Sequence, residues 1–246
     1  MFKFNDSIKI NKRNVKMVAH RGLSAVEREN TCPAFIAAAN RSYFGIETDV
    51  HKTSDGVFVV VHDETLTRVS NKSCDINVEK SSYADFRDVV LPDLDGSTIR
   101  RDIRVPLLAE YISICKKYGK ACILELKNEF AREDIERMVE IIRNLEYLDS
   151  MIFISFAYEN CVILRDILPE AKIQYLTGAK VDASLIAKLR AHRLDLDIAF
   201  NSLDKEAIDL LHSEGIEVNC WTVDLVPDGE ALAEMGVDYI TSDILE

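Results

Sequence analysis

The regular alternation of short β-rich runs with helical segments, from Leu107 to the C-terminus, constrains the fold more than any other feature. Strict alternation of this kind indicates a parallel sheet. The alternating segments are Leu107–Tyr118, Ala121–Lys127, Arg132–Leu148, Met151–Phe156, Tyr158–Leu168, Lys172–Thr177, Ala183–His192, Ile198–Asn201, Lys205–Ser213, Glu217–Val223, Asp228–Met235 and Tyr239–Ser242. With two strands nearer the N-terminus they give eight parallel candidates, and 246 residues is close to the ~250 typical of an eightfold barrel. The sequence therefore predicts an α/β fold, a TIM (β/α)8 barrel.

The N-terminal part predicts two strands and a helix. Val15–Ala19 is a short apolar run that ends at His20, and Gly45–Val50 is a second run of the same kind. The stretch from 31 to 40 is typical of a helix, with Thr31 as its N-cap and proline tolerated in the first turn.

A hairpin is expected to follow the second strand. The link after Val50 is too short for a parallel crossover, and Asp55-Gly56 favours a tight two-residue turn. The return strand would be Phe58–His62. In the register that such a turn favours, Asp49 lies opposite His62, at about 5 Å.

The segment after the hairpin is predicted to be a small insertion. Residues 63–104 lack a sustained hydrophobic period and are too many for an ordinary connection. We expect them to lie at the catalytic face of a single domain that spans residues 1–246.

Residues whose side chains could take part in catalysis or binding lie where a β/α barrel places its active site, at the C-terminal ends of the strands. His20 follows the first strand, and His62 ends the hairpin. The other candidates at strand ends are Glu47, Asp49, Glu125, Lys127 and Trp221, and Arg21 follows His20 directly.

Glu47, Asp49 and Glu125 are candidate ligands for one hard divalent cation. Alternation places the first two on one face of their strand, and buried carboxylates at strand ends need a partner or a cation. An acidic surface cluster held by ion pairs is the alternative. The oxygen ligands favour Mg²⁺ or Ca²⁺ over Zn²⁺, and they do not distinguish between the first two ions.

His20 and His62 are candidate acid-base groups. An imidazole titrates near neutrality, so one histidine can remove a proton from a nucleophile and the other can deliver one to a leaving group. A structural role is the alternative for either residue alone, and the sequence does not say which one is acid and which is base. The remaining histidines, His51, His192 and His212, are expected in a turn or on helices without a catalytic role.

Arg21 and Lys127 are candidate phosphate ligands, and both can also balance the acidic cluster. The formal net charge of −12 argues against a nucleic-acid partner. The same charge would repel any anionic substrate. The binding site must therefore be locally positive.

The ordered set of short motifs resembles the glycerophosphodiester phosphodiesterase family. The motifs are His20-Arg21-Gly22, Glu29-Asn30-Thr31, Glu47-Thr48-Asp49, Thr53-Ser54-Asp55-Gly56, His62-Asp63 with Leu66 and Arg68, Glu125-Leu126-Lys127 and Trp221-Thr222-Val223. Each is common by chance, but the ordered set spans most of the chain.

The resemblance implies a metal-dependent hydrolase that converts glycerophosphodiesters to glycerol 3-phosphate and an alcohol. It also suggests that Trp221 packs against the alcohol of the substrate, although a core role is equally consistent with the residue type. A phospholipase D-like activity on lysolipids and a non-catalytic barrel that serves as a binding module are the alternatives.

Cysteine use and hydropathy bear on the environment of the chain. The six cysteines, Cys32, Cys74, Cys115, Cys122, Cys161 and Cys220, form no framework, so we expect reduced thiols. The apolar runs are short, and the N-terminus lacks an apolar signal core, so we expect no membrane span and a cytoplasmic location. The oligomeric state and the preferred alcohol remain open.

Overall fold

The computed structural model describes residues 5–246 and shows a closed ring of eight parallel strands. The strands are β1 (Lys16–Ala19), β2 (Gly45–Lys52), β3 (Phe58–Val60), β4 (Ala121–Leu126), β5 (Met151–Ser155), β6 (Lys172–Thr177), β7 (Asp195–Ala199), β8 (Val218–Trp221) and β9 (Tyr239–Ser242). All except β3 form the ring, in the order β1-β2-β4-β5-β6-β7-β8-β9, and the pairing of β1 with both β2 and β9 closes it. The predicted TIM (β/α)8 barrel is confirmed.

Helices between the strands cover the outside of the ring. They are α1 (Cys32–Ala39), α2 (Leu108–Tyr118), α3 (Arg132–Asn144), α4 (Tyr158–Ile167), α5 (Ala183–Ala191), α6 (Lys205–Ser213) and α7 (Val226–Met235). The predicted start of α1 is confirmed, because the Thr31 hydroxyl accepts a hydrogen bond from the Ala34 N–H. This cap satisfies one of the free N–H groups of the first turn.

The β2–β3 hairpin differs from the prediction by one residue of register. Val50 pairs with Val60, and the N–H of Val61 donates to the carbonyl of Asp49 at 3.1 Å. The predicted pairing of Asp49 with His62 is therefore wrong. The loop has three residues instead of two, and Gly56 closes it at φ +82°, in the left-handed region that such a loop requires.

Strand β7 begins three residues earlier than predicted. The sequence indicated Ile198–Asn201, whereas the strand includes Asp195 and Asp197. Two carboxylates made this segment look unlike a buried strand. Asp197 is nonetheless only 2% exposed and lines a cavity inside the ring.

The chain between β3 and α2 packs against the hairpin. Within the described residues, its helical structure is one 3-10 turn, Tyr83–Asp85. A separate apolar cluster joins it to the hairpin: Val59, Val61, Leu66, Val69, Val78, Phe86, Leu91, Ile103 and Val105. The insertion at about 63–104 and the single domain over 1–246 stay predictions, and residues 1–4 of that domain lie outside the described part.

Apolar side chains fill the ring below its C-terminal end. Ile123 shares the inward face of β4 with Glu125, because side chains alternate along a strand. It belongs to an apolar cluster of Val18, Ile123, Ile152, Ile154, Leu176 and Tyr239. A buried polar network of Gln174, Asn219 and Thr241 lies beside this cluster, whereas the charged candidate site residues lie toward the C-terminal end of the ring. In residues 5–246, no helix is both long and apolar enough to cross a membrane.

Candidate active site

Glu47 and Asp49 on β2 converge with Glu125 near the end of β4, toward the C-terminal end of the ring. The register of these strands places Asp49 beside Glu125, and one carboxylate oxygen from each of the three residues lies within 4.8 Å of the others. The residues are only 2%, 1% and 7% exposed, in the same order. Asp49 Oδ1 and Glu125 Oε1 accept no hydrogen bond of good geometry from residues 5–246. Such a group of buried carboxylates requires cations or protons.

Two basic side chains approach this acidic cluster. Lys127 Nζ lies 2.8 Å from Glu125 Oε1 and 3.3 Å from Asp49 Oδ1. Arg21 Nε lies 3.4 Å from Asp49 Oδ2. If all three carboxylates were ionised, these two cations would leave one formal negative charge uncompensated, which either a proton or a further cation can neutralise.

The electrostatic environment shifts the pKa values of the three carboxyl groups in different directions. Burial, together with the charges of Asp49 and Glu125, raises the pKa of Glu47 well above its usual range. Burial and the Asp49 charge raise the pKa of Glu125 to about 7. Burial acts on Asp49 in the same direction, but the charges of Lys127 and Arg21 lower its pKa overall. A bound dication would favour the ionised form of all three.

A left-handed turn after β1 orients the first motif. Arg21 and Gly22 have φ angles of +54° and +80°, and the Arg21 N–H donates to Glu47 Oε2 at 2.8 Å. A Cβ on Gly22 would lie 2.7 Å from the backbone of Ala34 in α1. Glycine is required there for both its conformation and the close approach of the helix.

The Glu29-Asn30-Thr31 motif supports the site through side-chain contacts. Glu29 accepts a hydrogen bond from Arg21 Nη1 at 2.8 Å. Asn30 Nδ2 donates to Asp49 Oδ2 at 2.7 Å, which fixes the orientation of this carboxylate. Since Thr31 caps α1, each residue of the motif has a structural reason.

The two candidate catalytic histidines have matching surroundings. His20 Nδ1 lies 2.6 Å from Asp243 Oδ1, and His62 Nδ1 lies 2.7 Å from Asp63 Oδ1. A carboxylate at Nδ1 favours the tautomer with the proton on that nitrogen, which leaves Nε2 of each ring able to accept a proton.

Arg68 connects Asp63, the partner of His62, to Glu29, the partner of Arg21. Its guanidinium donates to both oxygens of Asp63 and both oxygens of Glu29, at 2.6 to 3.0 Å. Burial lowers the pKa of His62, as do the nearby positive charges, although Asp49 and Asp63 oppose the shift. The neutral ring is therefore favoured.

A cavity of about 110 Å³ unites these groups. It is lined by His20, Arg21, Glu47, His62, Glu125, Lys127, Ile154, Phe156, Leu176, Asp197, Trp221, Thr222 and Thr241. Seven of the eight predicted site residues are in this lining, and Asp49 contacts Lys127 from outside it. A larger cavity of about 600 Å³ lies at the opposite end of the ring, near Lys16 and Tyr239, and contains none of the eight.

Sequence reasoning missed several residues that organise the site. His51 lies on β2 rather than in a turn or helix, is buried, and places Nε2 3.2 Å from the carbonyl of His62. Its Nδ1 lies 2.9 Å from Glu79 Oε1. Asp243 and Asp197 were also missed. Only the carboxylate of the Thr241–Ile244 segment at the end of β9 could have suggested the contact with His20.

The fold and the site together define a class of protein, the β/α-barrel hydrolases that act on phosphodiesters. The model of the glycerophosphoryl diester phosphodiesterase family matches residues 20–246, and this chain belongs to that family. The family resemblance and the enzyme prediction are confirmed.

Individual relatives agree with this assignment. The chain is 27% identical to a glycerophosphodiester phosphodiesterase of Caldanaerobacter subterraneus subsp. tengcongensis, with 92% of this chain and 93% of the relative covered. It is similar to the crystal structure of a glycerophosphodiester phosphodiesterase from Parabacteroides distasonis, with 25% identity, a TM-score of 0.78 and coverage of 94% and 93%. An Oleispira antarctica phosphodiesterase, solved with the product sn-glycerol-3-phosphate, shares the fold at 23% identity, with a TM-score of 0.84 and 96% coverage of both chains.

Proposed function

We propose that this chain hydrolyses glycerophosphodiesters to glycerol 3-phosphate and an alcohol, with the help of one divalent cation. The observation that carries the proposal is the convergence of two carboxylate-oriented histidines, two basic side chains and an acidic cluster at one small cavity. The Oleispira antarctica relative, whose bound product is sn-glycerol-3-phosphate, supports the same product here.

Glu47, Asp49 and Glu125 would hold the cation. The fit rests on three buried carboxylates with one oxygen each within 4.8 Å of the others. Two of their oxygens, Asp49 Oδ1 and Glu125 Oε1, contact Lys127 Nζ but accept no hydrogen bond of good geometry. Their hard oxygen donors suit Mg²⁺ or Ca²⁺. When bound, the ion would supply positive charge to stabilise the phosphoryl oxygens.

His20 and His62 would transfer the protons. Each ring is oriented through Nδ1, so Nε2 of one can accept the proton of the nucleophile while Nε2 of the other, in its protonated form, donates to the leaving oxygen. The favoured neutral form of His62 is the form that a general base needs.

The nucleophile in this proposal is the glycerol hydroxyl adjacent to the phosphate ester. Its attack gives a cyclic phosphate and releases the alcohol, and water then opens the ring while the two histidines exchange roles. Reacting groups held in one molecule can lower the barrier by roughly 7–11 kcal/mol when they are well aligned.

Arg21, Lys127 and Trp221 would bind the substrate. Together with the bound cation, the first two would make the site locally positive, which would allow a phosphodiester to approach a protein of net charge −12. Trp221 packs edge to face against Phe156, with ring centroids 5.7 Å apart, and both rings line the cavity. They can form an apolar wall for the carbon atoms of the substrate.

A panel of glycerophosphodiesters, with product identification by ³¹P NMR, tests the proposal. We expect glycerol 3-phosphate as the phosphate product for each cleaved diester, and a loss of turnover in Glu47→Gln. Glu140→Gln, an exposed change of the same kind on α3, is the matched control and should keep wild-type turnover. Release of the phosphorylated alcohol together with free glycerol would contradict the proposal. A strong preference for intact lysolipids would favour the phospholipase D-like alternative.

A further inference from the structure

The lining of the cavity changes in chemical character around the ring. Strands β1, β2 and β4 bring the histidine, the acids and the cations, whereas β5 and β6 contribute Ile154 and Leu176. Strands β7 and β8 contribute Asp197 and Trp221. In the ring of eight, β7 stands four strands from β2 on either side. Asp197 therefore projects from the wall opposite the proposed metal ligands.

The wall formed by β7 and β8 carries buried polar atoms without partners. Asp197 Oδ1 and Trp221 Nε1 have no hydrogen-bond partner within residues 5–246, although both side chains line the cavity. Buried polar groups are nearly always satisfied, and an unsatisfied one is costly. A hydroxyl group can donate to the first atom and accept from the second. The wall thus has the polarity that a substrate hydroxyl requires.

The charge of this wall favours a neutral ligand group. Burial raises the pKa of Asp197 well above its usual range, and the Glu125 charge adds to the effect. A neutral carboxyl group has no Coulomb attraction for an ammonium group. Phe156, which could stack on a cationic alcohol, is 46% exposed, whereas Asp197 is 2% exposed. The leaving alcohol therefore fits better near Phe156, toward solvent, and the glycerol moiety fits better near the buried Asp197.

We propose that Asp197 binds the terminal hydroxyl of the glycerol moiety and so selects glycerol-containing diesters. The inference rests on the proposed function and adds a substrate-binding residue to it. The cavity, at about 110 Å³, is small and suits a short polyol better than a bulky group. A three-carbon chain that starts at the phosphate can cross this space and present its terminal hydroxyl to the opposite wall.

The test compares glycerophosphocholine with 2-hydroxypropyl phosphocholine, which lacks only the terminal hydroxyl and keeps the adjacent one. For the wild-type protein we expect kcat/KM to fall by about 10- to 100-fold on the analogue, because the analogue leaves the buried Asp197 carboxyl group unpaired. Equal kcat/KM for the two diesters would overturn this inference and leave the proposed function intact. If neither diester were cleaved, the proposed function itself would fail.

Variants assign the selectivity to Asp197. In Asp197→Leu, which keeps the approximate size, we expect the ratio of the two kcat/KM values to fall to within about threefold. Thr241→Val is the matched control, since Thr241 lines the same cavity but its hydroxyl donates to Asn219. It should retain the wild-type ratio even if both rates fall.

Two outcomes would overturn the assignment. One is an unchanged ratio in Asp197→Leu, which would give Asp197 a structural role that affects both diesters alike. The other is a change, in that variant, of the selectivity between diesters with charged and with neutral leaving alcohols. This change would place the leaving alcohol, rather than the glycerol moiety, at the wall formed by β7 and β8. Asp197→Ala carries the same expectations if Asp197→Leu does not fold. The wild-type comparison needs no variant.

Discussion

Replacement of Asp243 by asparagine isolates the contribution of the carboxylate that orients His20. In the folded protein, Asp243 Oδ1 lies 2.6 Å from His20 Nδ1 and also accepts a hydrogen bond from the Ser24 hydroxyl at 2.8 Å. Burial would raise the pKa of Asp243, but the hydrogen bond and charge of His20 lower it overall, so the group is ionised. Asp243→Asn removes this negative charge with little change of shape.

The size of the effect follows from the hydrogen bond and its exposure. A hydrogen bond to a charged group contributes about 1.5–3 kcal/mol. Because the Asp243 side chain is 39% exposed, solvent screens the interaction, and we take about 1.5 kcal/mol. If His20 gains its proton in the transition state, this loss lowers kcat by about tenfold at 25 °C.

Steady-state kinetics on a glycerophosphodiester, in the presence of the activating metal, measure this effect. Asp238→Asn is the matched control, because it breaks a similar pair with His212, at 2.9 Å, at the other end of the barrel. Its kcat should stay within about twofold of wild type. Asp243→Asn should also add little to the loss in His20→Ala, since the carboxylate acts through that ring. An unchanged kcat in Asp243→Asn, or a fully additive loss in the double variant, would refute the reasoning.

Three other predictions concern the same site. His20→Ala and His62→Ala should each lower kcat by about 10²–10⁴, the usual loss for a proton-transfer group, and near-normal turnover in either would assign that residue a structural role. A diester that lacks the hydroxyl adjacent to the phosphate should be cleaved very poorly in kcat assays, and cleavage at a comparable rate would indicate direct attack by water. Because the pKa of Glu125 is raised to about 7 in the metal-free protein, the cation must displace a proton at lower pH. Calorimetric metal affinity should therefore weaken as the pH falls below 7, and the Glu125 proton alone gives a slope that approaches about tenfold per pH unit; equal affinity at pH 6 and pH 7 would contradict this expectation.

The sequence predicted the fold because the pattern that determines it is local. Each strand and helix from 107 onward has its own hydrophobic run, and eight parallel strands have few ways to close. The placement of Glu47, Asp49 and Glu125 followed from the same logic, since residues at the C-terminal ends of adjacent strands must lie together.

Features that depend on long-range contacts or loop geometry were not predictable in this way. Asp243 is 223 residues from His20 along the chain, and only the closure of β9 against β1 brings them together. The hairpin register depended on whether the loop contained two or three residues. Asp197 was missed because the predicted strand began at Ile198 and excluded the two carboxylates that precede it, although Asp197 is buried in the barrel.

The most direct test of the account is the metal dependence of glycerol 3-phosphate formation. The protein is stripped of metal by a chelator, analysed to verify that it is metal-free, and assayed before and after Mg²⁺ or Ca²⁺ is returned. We predict negligible turnover without metal and recovery with at least one of the two ions. We also predict that Glu47→Gln binds the ion much more weakly in calorimetry and recovers little activity. Full turnover in the verified metal-free protein would contradict the central claim that these carboxylates hold a cation for catalysis.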